Sequence, residues 1–303
     1  MKYRSATKLL LSLSLLSSSV FGLPNALVFQ SDFGEKDGAV PSMKGVAYGV
    51  SPELKNFDLT HEIPTFDIWA AAYRLNQTAS YWPAGTVFVS VVDPGVGTDR
   101  RSVVLKTKTG HYFVTPYNGS LTLVADEMGV EEMRQIDEAI NRLSNSEKSY
   151  TFHGRDVYAY TGARLAAGVI SFEEVGKKLP SKVRRMEYQL AKKKGEVITG
   201  NIPILDIHYG NIWTNISRKL LFEISPDVLE PIRVEITHGD KVVFNELIPF
   251  VNTFGQVEVG KPVIYINDLL NAALAINQGD FAEAHKIESG PDWNIRFYRQ
   301  ESL

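Results

Sequence analysis

The chain contains no cysteine in its 303 residues. That excludes disulfides, thiolate metal sites and a cysteine nucleophile, and it leaves the redox compartment open. It also lacks a positive surplus: 32 Lys and Arg stand against 35 Asp and Glu, a net charge of −3. There is therefore no electrostatic case for nucleic acid or an anionic membrane as a partner. No H-x-x-x-H or H-E-x-x-H spacing is present, nor a G-x-S-x-G elbow, a Walker loop or a G-x-G-x-x-G fingerprint. The apolar run Leu9–Leu16 is too short to span a bilayer. Beyond it there is no low-complexity segment and no internal repeat.

What is present is ordinary for a globular chain, 44% hydrophobic and 22% charged. The length suits one large or two medium domains and a sizeable core. Lys2, Arg4 and Lys8 precede the Leu/Ser run, and small residues follow to Gly22. This is the pattern of a secretory signal peptide over residues 1–22, cleaved after Gly22. Removal of its three cations takes the net charge from −3 to −6. The expectation is an exported protein with no membrane attachment once the leader is gone.

Downstream, strands and helices alternate. Ala26–Gln30, Asn56–His61 and Thr86–Val92 read as strands, and Ala39–Val50 and Phe66–Tyr81 as helices. Ser102–Leu105 and Tyr112–Thr115 read as a hairpin pair. A turn at Pro116–Gly119 leads to a short helix, Ser120–Glu127. A helix over Val157–Ala167 is closed by Gly168. The fold class is an α/β N-terminal domain, 25–180, with a mixed or parallel sheet. A Lys/Arg-rich linker, 181–197, follows. The remainder, 198–303, reads as short strands (Ile202–Ile207, Arg233–Thr237, Lys241–Leu247, Val263–Asn267, Ala272–Asn277), hence a smaller all-β, barrel-like domain.

Three acids lie where predicted strands or turns end: Asp32, Asp93 and the Asp156 of His153-Gly154-Arg155-Asp156. In an open α/β sheet, ligands bind beyond the carboxyl ends of the strands. The loop Asp93-Pro94-Gly95-Val96-Gly97-Thr98-Asp99-Arg100 is the sharpest candidate. Its acid and its base are seven residues apart and can face each other, and its glycines permit close backbone approach to a ligand. Standing alone, such a loop is more often a structural turn. Asp206–Ile216, which includes Asn211 and Trp213, is rich in amides and aromatics and suits a pocket wall that stacks a heterocycle. Asp32, Asp93, His153 and His208 form the competing metal set, but each stands alone, and no metal is expected.

In order and spacing, six motifs resemble one family: Ser31-Asp32-Phe33-Gly34, Asp58–Pro64, Asp93–Arg101, Pro116 with Asn118-Gly119, Thr151–Asp156, and Tyr209-Gly210-Asn211 with Thr214-Asn215-Ile216. The family is the S-adenosyl-L-methionine (SAM) hydroxide adenosyltransferases, related to the fluorinases and chlorinases. The resemblance implies an N-terminal α/β domain, a C-terminal barrel, and a homotrimer that binds SAM between subunits. It implies the reaction of SAM with water to give adenosine and L-methionine, with SAM as substrate and no cofactor. Asp93, Arg100 and His153 fall on the family's catalytic positions. Asp32 falls on the ribose-binding acid, with Phe66 beside it. Thr151 and Phe152 would line the C5′ side. Asp206 and Asn211 would contact the methionine and adenine ends, with Asn118, Trp213 and Asn267 among the binding residues.

The chemistry fits those residue types. Attack at C5′ expels a neutral thioether from a sulfonium, so the leaving group needs no acid. Water is the poor partner and must be aligned and partly deprotonated. A carboxylate beside the nucleophile repels halide, which favours water over a chlorinase-like halogenase. An exported nucleoside-binding protein without turnover is the remaining alternative. The sequence departs from the family at Tyr117, at Tyr158–Thr161 (which includes Tyr160) and at Asn267–Asn271.

Overall fold

The computed structural model describes residues 26–299 apart from Pro226; the expected leader lies outside the described residues. The first half is a seven-stranded sheet. Its strands are β1 (Ala26–Ser31), β2 (Lys55–Thr60), β3 (Val87–Val91), β4 (Ser102–Thr107), β5 (Tyr112–Pro116), β6 (Val130–Gln135) and β7 (Lys178–Leu179), in the order β2-β1-β3-β5-β4-β6-β7. Strands β2, β1, β3 and β5 are parallel, whereas β4, β6 and β7 pair antiparallel. The sheet is therefore mixed, as expected.

Side-chain alternation along the buried strands sorts residues onto two faces. Leu27, Phe29, Val87, Val89 and Val91 pack with Val40, Met43 and Ala47 of α1 (Ala39–Val50). Val28, Phe88 and Phe113 face the other way, toward Leu75 of α2 (Ile68–Ala79) and Val124 of α3 (Thr122–Met128). Helix α2 starts where it does because Asp67 caps it, accepting from the Ala70 N–H at 2.8 Å. The helix expected from Val157 begins earlier, as a π-helical segment Gly154–Ala159, and continues as α4 (Tyr160–Ala166). Gly168 then turns left-handed at φ +67°, as expected of a C-terminal cap.

The second half consists of antiparallel sheets of four and five strands. Its strands are β8 (Lys192–Lys194), β9 (Val197–Ile202), β10 (Ile204–Asp206), β11 (Asn211–Ser217), β12 (Pro231–His238), β13 (Lys241–Pro249), β14 (Pro262–Ile266), β15 (Asn271–Ile276) and β16 (Gly290–Tyr298). Two short helices, α5 (Arg218–Phe222) and α6 (Phe281–His285), close them. A bridge between Phe250 and Ile264 links the two sheets. The strand expected over Ile202–Ile207 is split at Pro203, which has no N–H for a ladder. The stretch read as a linker includes β8, paired with β9.

The two halves meet through a shared apolar cluster. Ile63, Tyr73 and Val92 from the first pack with Ile204, Trp213 and Ala273 from the second. Two hydrogen bonds cross this seam, from Trp69 Nε1 to the Pro203 carbonyl at 2.9 Å and from Arg74 Nη2 to the Leu205 carbonyl at 2.8 Å.

Candidate active site

Strand β3 is buried along its whole length, and Asp93 emerges just past its carboxyl end. The Asn118 amide fixes that exit. Its Nδ2 donates to the Val92 carbonyl at 2.8 Å, and its Oδ1 accepts from Ser120 N–H. Asn118 is half-buried, and these two bonds use it to hold the loop. The loop folds on itself through Thr98, whose hydroxyl donates to the Gly95 carbonyl at 2.7 Å. Gly97 sits at φ +78°, and a Cβ there would lie 3.1 Å from the Tyr150 carbonyl oxygen. Only glycine lets the loop dock so closely on the segment leading to His153.

Asp93 and Arg100 do face each other. Arg100 Nη2 donates to Asp93 Oδ2 at 2.5 Å, and the side chains are only 8% and 5% exposed. The same guanidinium donates to the Arg101 carbonyl and lies over the Tyr158 ring. Tyr158 is fully buried, its hydroxyl 3.1 Å from Ser102 Oγ and 3.4 Å from Asp93 Oδ2. Burial raises the Asp93 carboxyl above its ordinary 3.8, while Arg100, His153, the Gly95 N–H and Tyr158 pull the other way. Asp93 Oδ1 is buried with no hydrogen-bond partner of good geometry.

His153 opens the π-helical segment and is buried. Its Nε2 lies 3.1 Å from Arg142 Nη2, and Arg142 is gripped in turn by Glu138 Oε2, at 2.6 Å from Nη2 and 3.2 Å from Nε. Burial lowers the His153 pKa, with Glu138 opposing and Arg142 and Arg100 reinforcing. Its Nδ1 is buried and unpartnered. The imidazole packs edge-on against Tyr158 at 6.5 Å.

The β1 loop closes the same edge. Asp32 Oδ2 accepts the Phe66 N–H at 2.9 Å, which helps hold Phe66 at φ +67°, where the residue is 65% exposed. A non-glycine residue there is unusual and needs such an anchor. Phe33 meets Phe152 edge-to-face at 5.7 Å, and a Cβ on Gly154 would touch both rings at 3.1–3.3 Å. Thr151 is exposed beside them. Asp32, Phe66, Phe152, His153 and Asp93 thus come from loops that share the carboxyl edge.

The remaining expected residues form a separate group. Asp206, Asn211, Trp213 and Asn267 line a cavity of about 510 Å³ together with Tyr265 and Phe254. Asn211 Nδ2 donates to Asp206 Oδ2 at 3.1 Å, and Trp213 Nε1 donates to the Tyr265 hydroxyl at 3.2 Å. Asn267 Oδ1 accepts from the N–H groups of Leu269 and Asn271, and its buried Nδ2 is unpartnered. Among the described residues, no hydrogen bond or ion pair joins this group to Asp32, Asp93, Arg100 or His153. Nor is there a gathered set of three or more His, Asp or Glu side chains fit to hold a metal. His208 is exposed, in ring contact with Tyr209 in the second half. Two departures from the family pattern point away from the edge: the Tyr117 hydroxyl donates to the Lys182 carbonyl, and Tyr160 lies under Arg164.

Sequence reasoning missed Ser102, Glu138 and Arg142, and it met Tyr158 only as a departure. Nothing in the spacing of Glu138 and Arg142 marks them; only folding brings them to His153.

The fold and the edge define a two-domain α/β-plus-β protein with a buried carboxylate, guanidinium and imidazole beside an open strand end. The chain belongs to the SAM hydroxide adenosyltransferase family. The family's N-terminal domain model matches residues 27–176 and its C-terminal domain model residues 200–294. The chain is similar to a Methanocaldococcus jannaschii protein named (R)-S-adenosyl-L-methionine hydrolase, 32% identical over 263 residues, covering 81% of this chain and 91% of that one. It is also similar to an Actinoplanes protein named fluorinase, 30% identical over 289 residues, covering 87% and 95%. A crystal structure of an uncharacterized conserved protein from Thermotoga maritima superposes with a TM-score of 0.82 at 33% identity, covering 90% of this chain and all of that one. Among the described residues, no helix is long and apolar enough to cross a membrane.

Proposed function

We propose that this protein hydrolyses SAM to adenosine and L-methionine. The observation that carries the reading is the buried Asp93–Arg100 pair beside His153, which leaves one carboxylate oxygen free at the strand edge. Asp93 takes a proton from water as its oxygen bonds to C5′. The C5′–S bond breaks with its electron pair going to sulfur, which leaves as the neutral thioether of methionine. Arg100 keeps Asp93 ionised despite burial. Asp32 and Phe66 hold the ribose, Thr151 and Phe152 line the C5′ side, and the Asp206–Asn211–Trp213–Asn267 group receives the remainder of the substrate. The reaction requires no cofactor or metal, because the sulfonium already supplies a good leaving group.

The two half-sites are read as completing each other between subunits of a homotrimer, a reading supported by the absence, among the described residues, of hydrogen bonds and ion pairs between them within one chain. The second half is read as one barrel-like body, supported by the Phe250–Ile264 bridge. The leader is read as directing export.

Incubation with SAM, followed by chromatography for adenosine and methionine, tests the reaction. Adenosine no higher than an Asp93→Ala control refutes it. The halogenase alternative predicts 5′-chloro-5′-deoxyadenosine in chloride buffer. We expect none, because the buried carboxylate repels a halide at the nucleophile position. Fractionation of the native cell tests export; a protein retaining Met1 in the cytosol refutes it.

A further inference from the structure

His153 meets Arg142, and that contact restricts what the imidazole can do. An arginine side chain offers donors only. With Arg142 Nη2 at 3.1 Å from His153 Nε2, that nitrogen must present its lone pair. An imidazolium would set donor against donor. The ring is therefore neutral, and its single proton is on Nδ1. Nδ1 is the nitrogen left buried and unpartnered, as is Oδ1 of Asp93. The two residues that carry these unpartnered atoms, one a donor and one an acceptor, both meet Tyr158, the imidazole against its ring and Asp93 Oδ2 at its hydroxyl. Unsatisfied buried groups are rare and call for an occupant.

From this arrangement we infer that His153 is a fixed hydrogen-bond donor to the attacking water, not its base, and that Arg142, held by Glu138, is the positioning residue that imposes this tautomer. The inference rests on the proposed hydrolysis. The water oxygen accepts from His153 Nδ1–H while one of its hydrogens points at Asp93 Oδ1. When the oxygen bonds to C5′, that proton passes to Asp93, the C5′–S electron pair goes to sulfur, and Asp93 later releases the proton to solvent. His153 gains and loses none. Donation from Nδ1 fixes the oxygen in place, and a donor there also stabilises hydroxide character as it develops.

The charged and titratable groups facing the ring agree with this division. Arg142 and Arg100 disfavour a second proton, Glu138 and Asp93 favour one, and Tyr158 is neutral against its edge. Burial adds to the arginines and lowers the pKa of the ring, which agrees with the neutral form that the Arg142 contact requires. Glu138 makes its hydrogen bonds to Arg142 and not to the ring. It grips Arg142 through two nitrogens, which fixes where the guanidinium points.

Two measurements on the full-length protein test this. Long-range 1H–15N spectra of histidine-labelled protein should show His153 with a protonated Nδ1 and an unprotonated Nε2 from pH 6 to 8. An imidazolium pattern, or a proton on Nε2, overturns the inference whether or not SAM turns over, so failure of the proposed reaction remains separately visible as absence of adenosine. Second, Arg142→Met should lower kcat about 10²-fold with KM for SAM little changed. Its shortfall against the wild type should narrow as the pH falls, because an imidazolium carries a proton on Nδ1 whatever lies beside Nε2. Arg142→Lys, which keeps a donor, should recover most of the loss, and Glu138→Gln should give a smaller decrease with the same pH signature. An Arg142→Met protein that folds and keeps the wild-type kcat and pH profile overturns the inference.

Discussion

Arg100→Gln probes the pair on which the reaction depends. The side chains of Arg100 and Asp93 are 8% and 5% exposed, so water screens their attraction little. Removing one partner of such a buried pair typically costs about 3–5 kcal/mol, because the other charge is left uncompensated. Asp93 avoids much of that cost by taking up a proton, which is the form that cannot act as a base. At about 1.4 kcal/mol per factor of ten, that cost corresponds to a rise of about 10²–10⁴-fold in the proton affinity of Asp93, so the ionised fraction and hence kcat should fall at neutral pH and recover at high pH. The sign follows from burial. The Asp93 carboxyl is already above its ordinary 3.8, with Arg100 the foremost influence opposing burial. Activity in the wild type should therefore fall as acidity rises through a value above 3.8, and in the variant at a higher pH. Initial rates of adenosine release from pH 5 to 10 give both curves. A variant within tenfold of wild type at pH 7, with an unmoved acid limb, would refute the reasoning. In that case Arg100 would be a surface-loop clamp and nothing more.

Gly162→Ala should lower the melting temperature, since a Cβ there would lie 2.4 Å from Val89 Cγ2 and force α4 off the sheet. Overpacking of this kind costs about 1–3 kcal/mol, and differential scanning fluorimetry reads it. Because α4 continues the π-helical segment that begins at His153, kcat should fall as well. Asp32→Ala removes the acceptor that anchors Phe66 and the proposed ribose contact. KM for SAM should rise about tenfold with a smaller change in kcat, the pattern of lost ground-state binding. An unchanged KM would remove Asp32 from the binding site.

The parts of the site that were legible in the sequence are those encoded locally. Asp93 stands immediately after a β-branched run, and Asp32 follows an apolar one after Gln30 and Ser31, so the apolar runs placed both at strand ends. Arg100 shares a loop with its partner. Strands with mixed polarity did not announce themselves. Strand β6 carries Glu131, Glu132 and Arg134, and its burial is partial. Strand β11 was missing from the expected strands because Asn211, Thr214 and Asn215 interrupt its apolar pattern, yet it is the buried strand that carries two expected binding residues. Strand β16 was overlooked for the same reason: Asp292, Asn294 and Arg296 alternate with its buried Trp293, Ile295 and Phe297. Glu138 and Arg142 were beyond reach because they lie in irregular chain, where no period exists to read. Asn118 was legible as a turn residue, but its task was not: the fold spends its amide on Val92.

Separation of the two half-sites leads to a test of assembly. Asp93 and His153 lie at the edge of the first sheet, while Asn211 and Asp206 line a cavity in the second half, with no hydrogen bond or ion pair between the groups among the described residues. A site completed within one chain should be abolished by a lesion in either half, and a mixture of two differently damaged chains should stay inactive. A site completed between neighbouring subunits behaves otherwise. Coexpression of Asp93→Asn with Asn211→Ala in equal amounts produces mixed rings in which some sites draw an intact Asp93 from one chain and an intact Asn211 from the next. Random assembly gives such a pairing at about one site in four, so activity should return to about a quarter of wild type from two variants that are each nearly dead. The expected dependence on mixing ratio is a product of the two fractions, maximal at equality. Activity no greater than the sum of the separate variants would show instead that each chain completes its own site, and the proposed intersubunit arrangement would fall while the chemistry assigned to Asp93 remained untouched.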